Sequence, residues 1–415
     1  MKQKKLLRSD EIHRKTASAE GHKAKPLLVR WITGSKIIKL ATVFVILCVF
    51  VTAIVILNRP DPDAVPSSVS GFVFVPAKVK DVTYDDAEPD YVRSEGRRLG
   101  RQELKIEILS GVHKGEILPL TNYLSALANV DVRTGDRIIV RMITNEDGTY
   151  YTAMYNYDRG IVLGIFILVF MVLLVTIGGK KGAKALIGLV FTLICLWFIL
   201  MPMMMRGFNS IMVTSIIAIV TATASLLLLD GFTRKALAAI TGCIAGVITA
   251  GCSTALVGRI TPLNGFNMSD AESLVLQVTD KGMTISGLLV CGVLIASLGA
   301  VMDVAISIAS SVNELHAINP ELPVRKLFVS GMNIGRDAMG TMANTLILAF
   351  VGSSLNMLIL TRAYDVPLLQ LVNSDYIGIE IVQGVAGSIG IILTVPFVAL
   401  MSAWLMVRGG KRGIC

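Results

Sequence analysis

Signatures of several familiar enzyme and metal sites are missing from this sequence. No HExxH, GxSxG, Walker A or GxGxxG string occurs. The six cysteines form no CxxC pair, and five of them lie in apolar runs, so the pattern predicts neither a disulfide framework nor a metal site. All four histidines lie outside the apolar runs: His13, His22, His113 and His316. An intramembrane enzyme is therefore the weakest functional hypothesis, with Asp303 and Asp337 as its one aspartyl pair, and no cofactor is predicted.

Charge is also scarce. Charged residues make up 17% of the 415 residues and hydrophobic residues 53%, and the mean hydropathy is +0.67. This mean hydropathy lies far above that of soluble proteins, and it predicts a protein whose main partner is the lipid bilayer. The net charge is +9, and ten of the Lys and Arg residues precede Ile37. We expect residues 1–36 to form a basic cytoplasmic tail that contacts anionic inner-leaflet lipid, and the charge does not indicate nucleic acid.

Long apolar runs predict eight transmembrane helices. The run 37–57 can span a bilayer and no cleavage pattern follows it, so it predicts an uncleaved anchor. Seven further runs make up a helical membrane domain over 159–410: about 160–177, 184–203, 208–229, 235–257, 283–310, 338–360 and 379–407. Basic pairs such as Lys180 with Lys181 and Arg325 with Lys326 then fall on one side of the membrane. By the positive-inside rule, both termini are cytoplasmic.

Between the first two spans lies a stretch with the pattern of β-strands. Prolines and acidic residues predict an extended linker over 58–95, and apolar residues alternate with polar ones over 96–158. The segment from Asn145 to Gly148 predicts a hairpin turn. We expect a small extracytoplasmic β domain, a barrel or sandwich of OB-like size. Four tyrosines near its end suggest an interfacial aromatic belt, with a stacking platform as the alternative: Tyr150, Tyr151, Tyr155 and Tyr157.

One predicted membrane helix carries an acidic residue near its centre. An apolar run leads into Asp303 without a turn signal, and a carboxylate at that depth costs about 2.5–3.5 kcal/mol on insertion scales. Polar and small residues recur with it at intervals of three and four, which superpose on one helix face: Gly299, Asp303, Ser307, Ser310 and Glu314. Asp303 is therefore expected to face protein, a partner or water instead of lipid.

A second polar segment, GMNIGRDAMGTMANT, follows in the chain. On a helix, Asp337, Thr341 and Asn344 share a face, and the two polar stripes are expected to meet. The candidate substrate or ion path comprises Asp303, Ser307, Asn333, Arg336, Asp337, Thr341 and Asn344. In the alternative interpretation, the stripes only hold the helices together by hydrogen bonds, with Asp303 paired to Arg336 or protonated.

Several glycines have the spacing of close helix contacts. Gly242 and Gly246 stand in GxxxG spacing within a run rich in small residues. Gly331, Gly335 and Gly340 would let another backbone approach the second polar segment. They could also interrupt its helix inside the protein, as in transporters with broken helices.

Four strings give the chain a resemblance to a known family. They are TGDRIIVR, ISGLLVCGVLIASLGA, LGAVMDVAISIASSVNEL and GRDAMGTMANTLILAFVG. Over about residues 70–410 the chain resembles the YibE/F family of multi-spanning bacterial membrane proteins. The resemblance implies a bacterial plasma-membrane protein and supports the predicted topology. It assigns no substrate, reaction or residue role.

Two functional hypotheses remain beside the enzyme. The first is a transporter or permease for a small solute or ion, in which Asp303 couples a proton or cation and Thr341 and Asn344 orient the ligand. Arg336 would bind an anionic group or neutralise Asp303 or Asp337. The second is an envelope assembly or scaffold protein that displays the β domain to the wall or to a protein partner.

Overall fold

The computed structural model describes residues 48, 50–59, 72–92, 94–144, 150–278 and 282–410. The chain divides into two compact units, residues 60–183 and residues 1–59 with 184–415. Three predicted features lie largely outside the described residues: the basic tail 1–36, the first part of the anchor 37–57, and the turn from Asn145 to Gly148. Within the anchor, residues 50–57 are helical.

The first unit contains a separate half-barrel of antiparallel strands. Its strands are β1 Phe72–Asp85, β2 Glu88–Asp90, β3 Arg97–Ile108, β4 Ile117–Leu124, β5 Arg137–Thr144 and β6 Tyr150–Tyr157. The order is β2-β3-β1-β5-β6, and β4 pairs with the other edge of β3. The β5 and β6 strands pair from Ile138 with Tyr157 to Thr144 with Tyr150. The predicted hairpin pairing is therefore confirmed, although its turn is not described.

The alternating residues build the core of this half-barrel. Leu104, Ile106 and Ile108 are buried, as predicted from their spacing, and they pack with Val79 and Val140. The predicted boundary at residue 96 is wrong, because β1 begins at Phe72 and lies between β3 and β5. The stretch assigned to a linker thus supplies the central strand of the sheet.

The rest of the described chain is helical. The elements are α1 Gly160–Cys195, a π-helical turn Leu196–Leu200, α2 Met201–Met205, α3 Ser210–Asp230, α4 Arg234–Ile260, a short 3-10 turn Gly265–Asn267, α5 Ala271–Val278, α6 Leu288–Ile318, α7 Val324–Ser353, α8 Leu355–Ala363, α9 Leu368–Val372 and α10 Asp375–Gly410. Side-chain caps start α3 and α4: Asn209 accepts from Met212 N at α3, and Thr233 accepts from Ala236 N at α4.

α4, α6 and α10 form the centre of the helical unit. α10 contacts α4, α6 and α7, and α6 also contacts α3. The core between them is aliphatic and fully enclosed, with Val301, Ile308 and Val395 each inaccessible to solvent. Residues 50–59 join the same unit, because Phe50 packs on Phe191 and the Asn58 side-chain amide donates to Phe198 O at 2.8 Å.

α1 is broken at Gly179, whose φ of 54° and ψ of −135° are not helical. Gly182 approaches Leu174 O so closely that an added Cβ would overlap it. Residues eight apart in a straight helix would be separated by about 12 Å, so the chain turns back sharply here. The break coincides with the loop predicted around Lys180 and Lys181.

Five of the described helices are long and apolar enough to cross a membrane: α1 with its continuation through α2, α3, α4, α6 and α10. α7 and α8 meet at a bend of 59° and would make a sixth span as a pair. The helix α7 begins at Val324, ahead of the apolar span predicted from residue 338. The count of eight spans stays a prediction.

Candidate functional site

Asp303 lies at a cavity in the helical unit, which we name the Asp303 cavity. It has a volume of about 300 Å³ and is bounded by the later part of α1, by α3 and by α6. Its polar lining consists of Lys184, Thr192, Thr214, Thr221, Ser225 and Asp303. One carboxylate, one ammonium group and four hydroxyl groups therefore face a space otherwise walled by aliphatic side chains.

The Asp303 cavity is elongated along α3. Its lining on that helix runs from Thr214 to Leu229, which at 1.5 Å per residue is about 22 Å of helix. The hydrocarbon core of a bilayer is about 30 Å thick. The cavity therefore extends over much of the depth of a membrane.

The buried Thr214 hydroxyl of the cavity lacks a strong hydrogen bond among the described residues. Thr192 donates to Gly188 O at 3.0 Å and Thr221 to Ile217 O at 2.8 Å, each within its own helix. Thr214 Oγ1 is buried and forms no hydrogen bond with an oxygen or nitrogen atom of the described residues; its polar neighbour is the Cys291 thiol, a weak partner. Thr214 is therefore free to bond a ligand atom in the cavity.

The cavity is not neutralised by an internal ion pair. Lys184 Nζ donates to Leu229 O at 3.2 Å, a carbonyl near the end of α3. Within the described ranges, Asp303 forms no salt bridge with any Lys, Arg or His. The pairing of Asp303 with Arg336 considered from the sequence is wrong, because Arg336 instead donates to Asn333 Oδ1 at 3.4 Å. Asp303 thus offers an unpaired carboxylate to the cavity.

The second polar stripe does not reach this cavity. The α7 residues of the predicted path are all exposed in the chain: Asn333, Arg336, Asp337, Thr341 and Asn344. Ser307 on α6 is exposed too and is absent from the cavity lining. α7 packs on α6 and α10 through Gly331 and Gly335, and its polar residues do not line the cavity. That the two stripes meet elsewhere stays a prediction.

Four of the five predicted packing glycines lie at close helix contacts. An added Cβ would overlap Val398 at Gly242, Thr394 at Gly246 and Val395 at Gly335. At Gly331 it would lie 3.0 Å from Ala399 Cβ and from Val312. Gly340 has open space around it, with no described atom within 4 Å, so the close approach expected there is absent. The helix also runs through Gly340 and breaks later, after Ser353.

Sequence reasoning missed most of the cavity lining. Thr192, Thr214 and Ser225 lie in apolar runs, where a hydroxyl usually bonds a carbonyl of its own helix. Lys184 is the first residue of the predicted span 184–203, and its charge gave no indication of a cavity. No signal in the sequence placed these residues beside Asp303, because their proximity depends on which helices become neighbours.

A second concave surface lies in the β unit, between β4 and β6, and we name it the tyrosine cleft. It has a volume of about 560 Å³, and four tyrosines line it: Tyr123, Tyr150, Tyr151 and Tyr155. Tyr123 is 70% exposed and Tyr151 is 52% exposed. Tyr150 donates to Glu116, and this hydrogen bond is the first cause of the lowered pKa of the Glu116 carboxyl.

Among its described residues, neither unit shows a cluster suited to a metal. In the part of the chain that the structure describes, no group of three or more His, Cys, Asp and Glu side chains could hold a metal ion. The polar groups at the Asp303 cavity are a single carboxylate, hydroxyls and an ammonium group. This set can bind a proton, a cation or a hydrogen-bonding solute.

The long apolar helices with a separate β half-barrel define a multi-spanning membrane protein of the α-helical class. The chain belongs to the YibE/F family: the family described as YibE/F-like protein matches residues 166–408, more than half of its length. A comparison with curated proteins and a comparison with solved structures each gave no match.

Proposed function

We propose that this protein is a transporter or permease that moves a small solute or ion past Asp303. The observation that carries the proposal is the placement of an unpaired carboxylate at a cavity that follows α3 for about 22 Å. Ionisable residues inside a membrane are costly and mark ion or substrate pathways when they face a cavity.

The roles follow from the chemistry of each group. Asp303 would take up a proton or cation, because its charge is not already satisfied by a basic partner. The free hydroxyl of Thr214 would orient the solute. Lys184, at one end of the cavity, would attract an anionic group of the solute or a counter-ion that accompanies it.

The second polar stripe, on α7, would form a further polar surface of the transporter. Arg336 and Asp337 are charged residues in the middle part of α7, and both are exposed in the isolated chain. Such residues need water or a protein partner at membrane depth. Thr341 and Asn344 extend the same surface and would orient a ligand there.

The topology is proposed in the same terms. Eight spans with both termini cytoplasmic would place the break at Gly179, with Lys180 and Lys181, on the cytoplasmic side of a bacterial plasma membrane. The β unit would then be extracytoplasmic, and the basic tail would contact anionic lipid.

Flux through purified protein in proteoliposomes tests the proposal. With an imposed proton gradient and pooled small metabolites and ions, we expect wild type to change the internal pH and Asp303→Asn to abolish that change. The matched control is Glu314→Gln, an exposed carboxylate on the same helix that does not line the cavity. Absence of flux in all three proteins, with insertion and folding verified, would overturn the proposal.

A second candidate function, envelope scaffold, is supported by the tyrosine cleft. The strand pairing β1-β3, β3-β4, β1-β5 and β5-β6, with β4 beside β6, is that of an OB-like barrel, whose faces bind oligosaccharides and oligonucleotides. The exposed tyrosines of the tyrosine cleft would stack on the sugar rings of an envelope polymer.

Sedimentation with purified peptidoglycan tests this second function on the full-length protein in detergent. Tyr123→Ser with Tyr151→Ser should remove the protein from the pellet. Tyr91→Ser changes a tyrosine that is 80% exposed but outside the cleft, and it should leave sedimentation unchanged. Equal sedimentation of all variants would rule the cleft out.

A further inference from the structure

A second cavity in the helical unit surrounds Glu380, and we name it the Glu380 cavity. It has a volume of about 470 Å³ and lies between the 3-10 turn with Met268, the junction of α7 and α8, and the first turns of α10. Its polar lining includes Asn267, Ser353, Ser354, Asn356, Glu380 and Gln383. None of these residues lines the Asp303 cavity.

The junction of α7 and α8 supplies one wall. α7 ends at Ser353, and the two helices meet at a bend of 59°. Ser353 Oγ donates to Phe350 O at 2.8 Å, and Ser354 N donates to the same carbonyl at 3.1 Å. The Ser353 hydroxyl and the Ser354 backbone are thus held at a defined break, where a membrane helix leaves polar atoms available to a ligand.

Glu380 has an unsatisfied oxygen. Glu380 Oε2 is buried and has no hydrogen-bond partner. A buried carboxylate oxygen is stable when a donor or a cation reaches it, and native proteins rarely leave one alone. This atom therefore calls for a positively charged or hydrogen-bond-donating ligand.

The charge of the cavity lining favours a positively charged ligand. Its lining contains no Lys, Arg or His among the described residues. Asp375 adds a second negative charge nearby, because Asn267, itself in the lining, donates to Asp375 Oδ2 at 2.9 Å. An anionic ligand would meet repulsion from both carboxylates, whereas a cation would be attracted.

Size and apolar lining distinguish an organic cation from a bare metal ion. A cavity of about 470 Å³ is in the range of small-molecule sites and far exceeds one dehydrated ion. Met357, Leu360 and Ile377 give it aliphatic walls, and Tyr376 adds an aromatic ring. Aliphatic and aromatic walls suit the body of an amine, and aromatic rings attract ammonium groups.

We propose that the Glu380 cavity binds a small organic cation, with its ammonium group at Glu380 Oε2. The amides of Asn356 and Gln383 and the hydroxyls of Ser353 and Ser354 would accept the remaining ammonium hydrogens. This assignment goes beyond the proposed transport past Asp303, and binding at Glu380 does not depend on transport.

Equilibrium dialysis of the full-length protein in detergent tests the site, with radiolabelled ethanolamine and putrescine as probes, both of which carry ammonium hydrogens at neutral pH. We expect saturable binding of at least one probe by wild type and at least a tenfold weaker affinity in Glu380→Gln. Glu272→Gln is the matched control, because Glu272 is an exposed carboxylate on α5 outside the lining. It should bind as wild type does.

A second variant distinguishes loss of the binding site from misfolding of Glu380→Gln. Leu360→Trp would fill the cavity from the opposite wall and should also abolish binding. Absence of saturable binding by wild type, or full binding by both variants, would overturn the inference. So would saturable binding of radiolabelled sodium with no amine bound.

The two proposals fail separately. Amine binding that requires Glu380, without any flux in proteoliposomes, would support this site and overturn the transporter. Flux that requires Asp303, without amine binding, would support the transporter and overturn this site.

Discussion

Gly335 of α7 lies against the side chain of Val395 in α10, with no room for a Cβ atom between the two residues. The same added Cβ would come within 3.0 Å of Ile308 on α6. One glycine thus brings three helices of the core together. Contacts of this kind are the principal means by which membrane helices associate, since lipid gives no hydrophobic drive between them.

Gly335→Leu should therefore destabilise the helical unit. Forcing a side chain into a packed core costs about 1–3 kcal/mol. Thermal unfolding of the protein in detergent measures the change. Gly340→Leu is the matched control on the same helix, because Gly340 has open space around it, and it should unfold as wild type does. Similar losses in both variants would contradict the packing described here.

Thr214→Val should stabilise the protein slightly while weakening transport. The buried hydroxyl of Thr214 lacks a hydrogen bond, and removing an unsatisfied buried group recovers about 1 kcal/mol. Thr221→Val is the control, because Thr221 already bonds Ile217 O and Ala218 O, so it should be neutral or destabilising. Unfolding in detergent and flux in liposomes are measured together, and a destabilised Thr214→Val would show that its hydroxyl has a partner.

Gln102→Leu should strongly destabilise the β half-barrel. Gln102 is fully buried, and its amide donates to Asp85, Asp131 and Val132 O at 3.0–3.2 Å. Leucine would leave these acceptors and the Asn122 amide without that partner, at a cost of about 2–3 kcal/mol.

Hydrogen exchange of the full-length protein, measured by mass spectrometry on strand peptides, tests this change at Gln102. Its control is Glu103→Gln, on the adjacent and partly exposed position, which should change stability by less than about 0.5 kcal/mol. Unchanged protection in β3 of Gln102→Leu would contradict the prediction.

Acid should weaken the same region through Asp85. Burial by itself would raise the pKa of the Asp85 carboxyl, but hydrogen bonds from Arg98, Gln102 and Ala87 N outweigh it and lower the pKa. A carboxyl with a lowered pKa in the folded state stabilises the fold above its unfolded pKa of about 3.9. That stabilisation is lost as the pH falls below about 4.

Arg98→Met removes the main partner and tests the acid response. Arg98 bonds Asp85 at 2.6 Å and Asp131 at 3.0 Å. Both ends of these ion pairs are partly exposed, so we expect a loss of about 1.5 kcal/mol at neutral pH, seen as roughly tenfold faster exchange in β1 and β3. Below pH 4 the difference from wild type should shrink. A constant difference between pH 7 and pH 3 would contradict this assignment.

Much of the fold could be predicted from periodicity. The buried alternation of Leu104, Ile106 and Ile108 follows from the two-residue repeat of strands. β1 was missed although Val75, Ala77 and Val79 alternate in it, because Pro76 and the flanking prolines and acids suggest a linker. Its place as the central strand depends on pairing with residues far away in the chain, which local pattern cannot show.

The candidate site was predictable only in part. The position of Asp303 on a membrane helix follows from the apolar run around it. Its neighbours on α1 and α3 do not, because three separate segments converge on the cavity. The glycines of α7 suggested a broken helix, but packing against α6 and α10 holds Gly331 and Gly335 in a continuous one. The bend instead follows a Gly-Ser pair, Gly352 with Ser353, which is a known site of helix kinks.

The close contact of α4 with α10 restricts how the helices of the protein can move. A Cβ at Gly246 would lie within 3.0 Å of Gly390 O, and one at Gly390 would lie 2.8 Å from Gly246 O. Backbones this close cannot slide past each other without separating. The two helices are therefore expected to move as one rigid body. Distances between spin labels placed on α4 and α10 should stay fixed, while distances to labels on α3 or α7 should change during transport.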